Sequence, residues 1–186
     1  MQRIRLVFGC LFLAACLVSG VSFAQDNQPV RVGVTVLGSA AGITGAAGRD
    51  RLVKALNKQK KSPVQAVPIQ ASGGDQVSAE AREKNCAFVV FTTQTEAHNE
   101  GGASGKPGQT TNIPEYHTTV EYKLYRVSDA TMVASGSAKA QDIGSLGDVV
   151  QQALDRVATK VAADIKTAAA APPPAAAPAA APPSNP

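Results

Sequence analysis

Tryptophan is absent, and the aromatic side chains come to three tyrosines and five phenylalanines in 186 residues. No basic run is flanked by aromatics, so the chain lacks the stacking platform and charged track by which proteins hold nucleic acid. The formal net charge of +4 overstates the case: Arg3 and Arg5 lie in the first 24 residues, which hold no acidic group, and sixteen basic residues then face fourteen acidic ones. The densest basic cluster, Lys58-Gln59-Lys60-Lys61, reads as a solvated helix end, where lysines favour the negative pole of the dipole. Cysteine is equally scarce. Cys10 and Cys16 fall in the leader, which leaves Cys86 with no bridging partner; beside the apolar run 87–91 it reads as a small buried hydrophobe. Without disulfides, an apolar core drawn from roughly 140 residues must hold the fold, which is chain enough for one domain.

The leader is the most informative segment present. A basic head at Arg3 and Arg5, an apolar stretch over 6–18 and small residues at Ser22 and Ala24 before polar Gln25 and Asp26 form a secretory signal peptide over 1–24, cut between Ala24 and Gln25. Two alternatives use the same residues. The run Leu13-Ala14-Ala15-Cys16 fits a lipoprotein signal with Cys16 lipidated, although the chain stays apolar to Phe23 where a tether normally enters water. Left uncut, residues 4–24 would also be long enough to span a bilayer. The address expected is periplasmic or secreted, with a membrane-anchored lipoprotein as the alternative and membrane contact limited to the leader or a Cys16 lipid. Export removes ATP and NAD(P)H from the surroundings, which disfavours nucleotide-driven chemistry.

Residues 25–168 are expected to form a single domain. Val30, Val32, Val34 and Val36 alternate with other residues, as a strand does. A glycine-rich turn over 38–48 leads to a helix over 47–57, and 64–69 is a short strand whose Pro68 calls for an edge or a bulge. A weaker helix over 79–84, capped by Ser78 and stopped by Asn85, precedes a buried strand over 87–93. Residues 116–127 and 131–140 alternate across a short turn, with Val120, Tyr122 and Leu124 on one face, and form an antiparallel hairpin. Leu146, Val149, Val150, Ala153, Leu154, Val157, Val161 and Ile165 make one stripe on a long closing helix, with Ser145 and Asp148 as a capping box. The fold class is therefore α/β with mixed α+β character: β-α-β-α-β, then a hairpin and a C-terminal helix on a mixed sheet, in two or three layers. Residues 99–113, rich in Gly, Thr and Ser, read as a mobile or binding loop. Residues 169–186 are an Ala/Pro tail without charge, expected to be disordered and extended as a spacer.

Few residues offer chemistry. The glycine turn stands where a dinucleotide site would, but neither Gly-x-Gly-x-x-Gly nor a Walker lysine is present, and residues 101–107 resemble a phosphate loop one residue short. No cofactor is assigned. Glu96, His98 and Glu100 alternate and would share one face of a strand, with His117 near on the next; oxygen and imidazole ligands suit a divalent metal, although a solvated strand edge reads the same way. No triad or nucleophile elbow is visible, so no catalytic residue is assigned and an enzyme is not expected.

Residues 31–36, 85–92, 120–129 and 133–137, including Asn85-Cys86-Ala87-Phe88-Val89-Val90-Phe91 and Val120-Glu121-Tyr122-Lys123-Leu124, resemble in order a periplasmic α/β domain. It is the one shared by the curli-secretion lipoprotein (CsgG-like) family, the penicillin-binding-protein activator lipoproteins and the TolB amino-terminal domain. The resemblance implies a non-catalytic envelope module, an accessory or scaffold domain that binds an envelope protein or assembles with itself. A periplasmic small-molecule or metal-binding module is the alternative reading, and a hydrolase with an unseen site the third.

Overall fold

The structure is a computed structural model; it describes residues 29–59, 64–104 and 111–170, with the backbone alone at 98–104 and 111–114. The leader, with Cys16, Ala24 and Gln25, and the segment after Ala170 lie outside the described residues. Among the described residues eight elements follow one another: β1 (Val30–Val34), α1 (Gly45–Asn57), β2 (Val64–Pro68), α2 (Gly74–Glu83), β3 (Phe88–Ser104), β4 (Thr111–Arg126), β5 (Met132–Asp142) and α3 (Leu146–Ala170). The strands make one sheet in the order β2-β1-β3-β4-β5. β1 runs parallel to β2 and β3, while β3–β4 and β4–β5 are antiparallel, so the sheet is mixed.

Alternation along the strands sorts side chains into two clusters. Val32, Val34, Phe88, Val90, Val120, Tyr122 and Leu124 face α1 and α3 and form the larger core, completed by Leu52 and Leu56 of α1 and by Val150, Leu154, Val157 and Ile165 of α3. On the other face a smaller cluster of Ile69, Val77, Ala81, Cys86, Val89 and Val127 lies under α2. The result is three layers, one of them a single short helix. The long stripe of α3 is buried as its periodicity requires, and its first turn is closed by Asp148 N–H donating to Ser145 Oγ at 3.2 Å while the Asp148 carboxylate accepts from Ser145. Tyr122 lies directly across from Gly136, whose missing Cβ leaves room for the ring, and its hydroxyl donates to Asp164 of α3 at 2.6 Å.

Pro68 sits on an edge strand, as expected of a residue without an amide hydrogen. Asn85 has φ of +53°, the left-handed stop after α2. Two expectations are corrected. α2 begins at Gly74 with Gly73 as its N-cap, a full turn before Ser78; Ser78 lies inside the helix and its hydroxyl donates back to the Gly74 carbonyl at 3.0 Å. Asp75 in the first turn supplies the charge that favours this start. Residues 99–104 and 111–113 are not loop: they extend β3 and β4 into a long ribbon whose register runs to Ser104 opposite Thr111. Ladder hydrogen bonds pair backbone with backbone and need no apolar alternation, which is why this part of the strand reads as loop in the sequence.

Candidate functional site

α2 covers one end of its sheet face, and among the described residues no other element packs on the remainder. Beside it runs a groove of about 670 Å³ floored by Val77, Val89, Phe91, Tyr125 and Val127, with Gly74 and Asp75 of α2 on one wall and Glu121, Lys123 and Arg126 around it. The sheet register builds the floor: Val89 lies opposite Tyr125, and Phe91 opposite Lys123. The Phe91 and Tyr125 rings meet edge to face, centroids 5.5 Å apart at 84°. Tyr125 is in turn paired with Met132 of β5, which is 54% exposed. Aromatic and thioether groups in a row on an uncovered face give an apolar strip with charged margins, a surface suited to polypeptide rather than to a polar metabolite. Arg126 is tethered to Asp129 at 3.4 Å, and Asp129 also accepts from Thr131, so the β4–β5 turn at the groove end is braced.

Two side chains that the sequence does not single out hold the other end. Glu80 accepts from the backbone amides of Gln70 and Ala71 at 2.8–3.0 Å and from Lys84 at 2.7 Å. The Lys84 hydrogen bond, helped by those two amides against the opposing effect of burial, holds its carboxyl at about 2, well below 4.5. Buried Arg49 reaches the same segment, donating to Gln70 Oε1 at 2.8 Å and to the Ile69 carbonyl at 3.4 Å. Together they fix the connection that delivers α2 to the groove. The i,i+4 spacing of Glu80 and Lys84 is readable in sequence; the backbone contacts are not.

The residues with metal-like spacing are placed on the ribbon. Glu96, His98 and Glu100 occupy alternate positions of β3, opposite Thr119, His117 and Glu115, just past a bulge between Gln94 and Glu96. Glu96 accepts from the Thr119 hydroxyl at 2.6 Å, and with His117, Glu115, Lys139 and Arg156 it lines a second, mixed-charge depression of about 650 Å³. The side chains of His98 and Glu100 lie outside the described residues, and among the described residues no three His, Cys, Asp or Glu side chains are grouped to hold a metal ion. Cys86 is buried in the smaller core, and burial pushes its thiol up, away from the reactive thiolate.

The glycine turn is tied down rather than open to a phosphate. Ala41 N–H donates to Gln94 Oε1 at 2.6 Å, Gln94 donates to Thr118 at 2.9 Å, and Gly42, with φ of +81°, lies against Leu146 at the start of α3. A Cβ on Gly42 would come within 2.8 Å of Leu146, so the glycine there serves close packing.

No family model and no curated protein matches the chain. Among solved structures it is similar to the PelC dodecamer from Paraburkholderia phytofirmans, in two crystal forms, with TM-scores of 0.54 and 0.50 at 16% identity over 70% of this chain and 86% of that one. It is also similar to the hypothetical protein CT253 from Chlamydia trachomatis, with a TM-score of 0.50 at 12% identity over 74% of this chain and 98% of that one. These likenesses show the fold. Among the described residues no helix is long and apolar enough to cross a membrane.

Proposed function

We propose that the protein is an exported, non-catalytic accessory domain of the cell envelope that assembles with copies of itself through the open sheet face. The observation that carries this reading is the strip of half-buried Phe91 and Tyr125 beside exposed Met132, which no other described element covers, on a fold shared with a protein solved as a dodecamer. The sheet edges favour the face over edge-to-edge pairing. On β2 the Asn57 side chain accepts from Ala66 N–H at 2.8 Å and donates to the Ala66 carbonyl at 3.1 Å, satisfying that edge as a neighbouring strand would. On β5 the Ser137 and Lys139 carbonyls accept from Lys160 and Arg156 of α3. The leader supports export and the sequence resemblance supports the envelope.

Sedimentation of the mature chain, starting at Gln25, tests the reading. The wild type is expected to form an oligomer at micromolar concentration, and the Phe91→Ser/Met132→Ser double variant to sediment as a monomer with its circular-dichroism spectrum unchanged. A wild type that stays monomeric up to about millimolar, the weak end of specific association, would remove self-assembly. Intact mass of native protein reads the leader in the same preparation: a chain beginning at Gln25 supports periplasmic release, and a diacylated chain beginning at Cys16 replaces it with a tethered lipoprotein.

A further inference from the structure

We infer that the Ala/Pro segment following α3 docks in the groove beside α2 of its own chain and competes there with self-assembly. The inference rests on the proposed use of that face and names what regulates it.

Three observations point to this occupant. α3 ends near one end of the groove: Ala168 and Ala169 line a separate depression with Phe88, Arg126 and Val127, and Arg126 and Val127 also line the groove. The two depressions therefore meet at Arg126 and Val127, between the last turn of α3 and the Phe91–Tyr125 pair. Length suffices. Residues 171–186 would span about 50 Å at roughly 3.1 Å per residue, against about 20 Å for the six strand steps from Val127 to Glu121. The chemistry also matches. The segment contains Pro172, Pro173, Pro174, Pro178, Pro182, Pro183 and Pro186, with alanines, Ser184 and Asn185, and no charged side chain. Such a sequence favours the polyproline II conformation, which loses little entropy on docking and is commonly received by aromatic-lined grooves. Phe91 and Tyr125, edge to face, supply that lining.

A tethered segment needs little intrinsic affinity. A short connection gives an effective concentration on the order of millimolar, so a peptide that binds at only about 0.3 mM in trans would fill most grooves in cis. Docked, it covers the strip that a second copy would use.

Backbone amide shifts of the full mature chain, measured at low concentration, test docking directly. Replacing all seven of these prolines with serine is expected to move the resonances of 89–93 and 121–127 and to leave those of α1 unmoved. Adding a synthetic peptide of residues 171–186 to the serine variant is expected to return them toward the wild-type positions, and Phe91→Ala to abolish that response. The serine variant is also expected to self-associate roughly three- to tenfold more tightly than the wild type. Groove resonances unaffected by the proline replacements would overturn docking whether or not the protein assembles. A groove difference between wild type and serine variant that disappears on dilution to concentrations at which both chains are monomeric would assign the segment to a neighbouring copy and overturn docking in cis. Because peptide binding is read on the variant by itself, failure of self-assembly is distinguishable from failure of docking.

Discussion

Both carboxylate oxygens of Glu80 hold the chain where β2 turns toward α2, and the backbone amides of Gln70 and Ala71 have that carboxylate as their acceptor. Charge-assisted hydrogen bonds of this kind depress the acid's pKa, here to about 2, with the Lys84 bond as the largest cause. The consequence for stability has a definite sign. A carboxyl whose pKa is lower folded than free contributes stability above its free value near 4.5, and that contribution is lost as pH falls through about 2. Glu80→Gln is therefore expected to lower stability at pH 7 by on the order of 1 to 2 kcal/mol, discounted for the partial exposure of Lys84. The gap between variant and wild type should narrow as pH falls from 5 to 2. Thermal melts across that range check it; a gap that stays constant would mean the carboxylate charge contributes nothing and the side chain merely fills space. Arg49 is the complementary case at the same spot, a buried guanidinium whose long reach to Ile69 and Gln70 replaces the turn residues that would otherwise anchor the strand end.

Among the elements, α3 contributes most to the larger core, with nine buried residues along its length. Leu154 is fully buried and Gln152 sits at the margin, its amide on Asp142. Leu154→Ala is expected to cost about 2 to 5 kcal/mol through lost transfer energy and a residual cavity, while Gln152→Ala stays within about 0.5. Urea titration separates them, and equal midpoints would place the buried stripe elsewhere. This helix is legible in the sequence because one face is buried from end to end, and β1 and the inner part of β4 are legible for the same reason: Val32 and Val34, and Val120, Tyr122 and Leu124, point alternately into one core. Legibility ends where burial does. The ribbon beyond Ala97 is held by backbone pairing, so a Gly- and Thr-rich sequence there gave no period to read, and the Gly73 start of α2 carries no side-chain cap to announce it. The site was harder still. The alternation of Glu96, His98 and Glu100 is visible by eye, and all three fall at alternate backbone positions of β3. The groove draws Gly74, Val89, Phe91 and Tyr125 from three elements, and its existence depends on α2 being too short to cover the sheet, a property of packing rather than of any motif.

For the molecule as a whole, the question is which surfaces are free to meet another copy. A sheet ends in two edges, and an unprotected edge recruits any strand that comes near. β2 is short, carries Pro68 and has Asn57 paired to both backbone groups of Ala66. β5 is longer and its protection comes from α3: Lys160 Nζ donates to the Ser137 carbonyl at 2.6 Å, and Arg156 donates to the Lys139 carbonyl. Two cations thus stand where a foreign strand would place its amides, and a strand docking there would have to displace them and approach two positive charges. The assembly proposed through the sheet face requires this edge to stay closed, because edge pairing has no natural limit to its growth. Arg156→Ala/Lys160→Ala is therefore expected to leave the melting temperature within a degree or two, since both side chains are exposed and such contacts contribute little to stability, while opening the edge to disordered association. Light scattering and thioflavin fluorescence at 37 °C should rise severalfold faster for the double variant than for the wild type. Adding Phe91→Ser to the variant should not suppress that rise, because the edge and the face are separate surfaces. Scattering that is unchanged by removing both cations would show that β5 is guarded by its own twist, and scattering abolished by Phe91→Ser would place the new contact on the face instead.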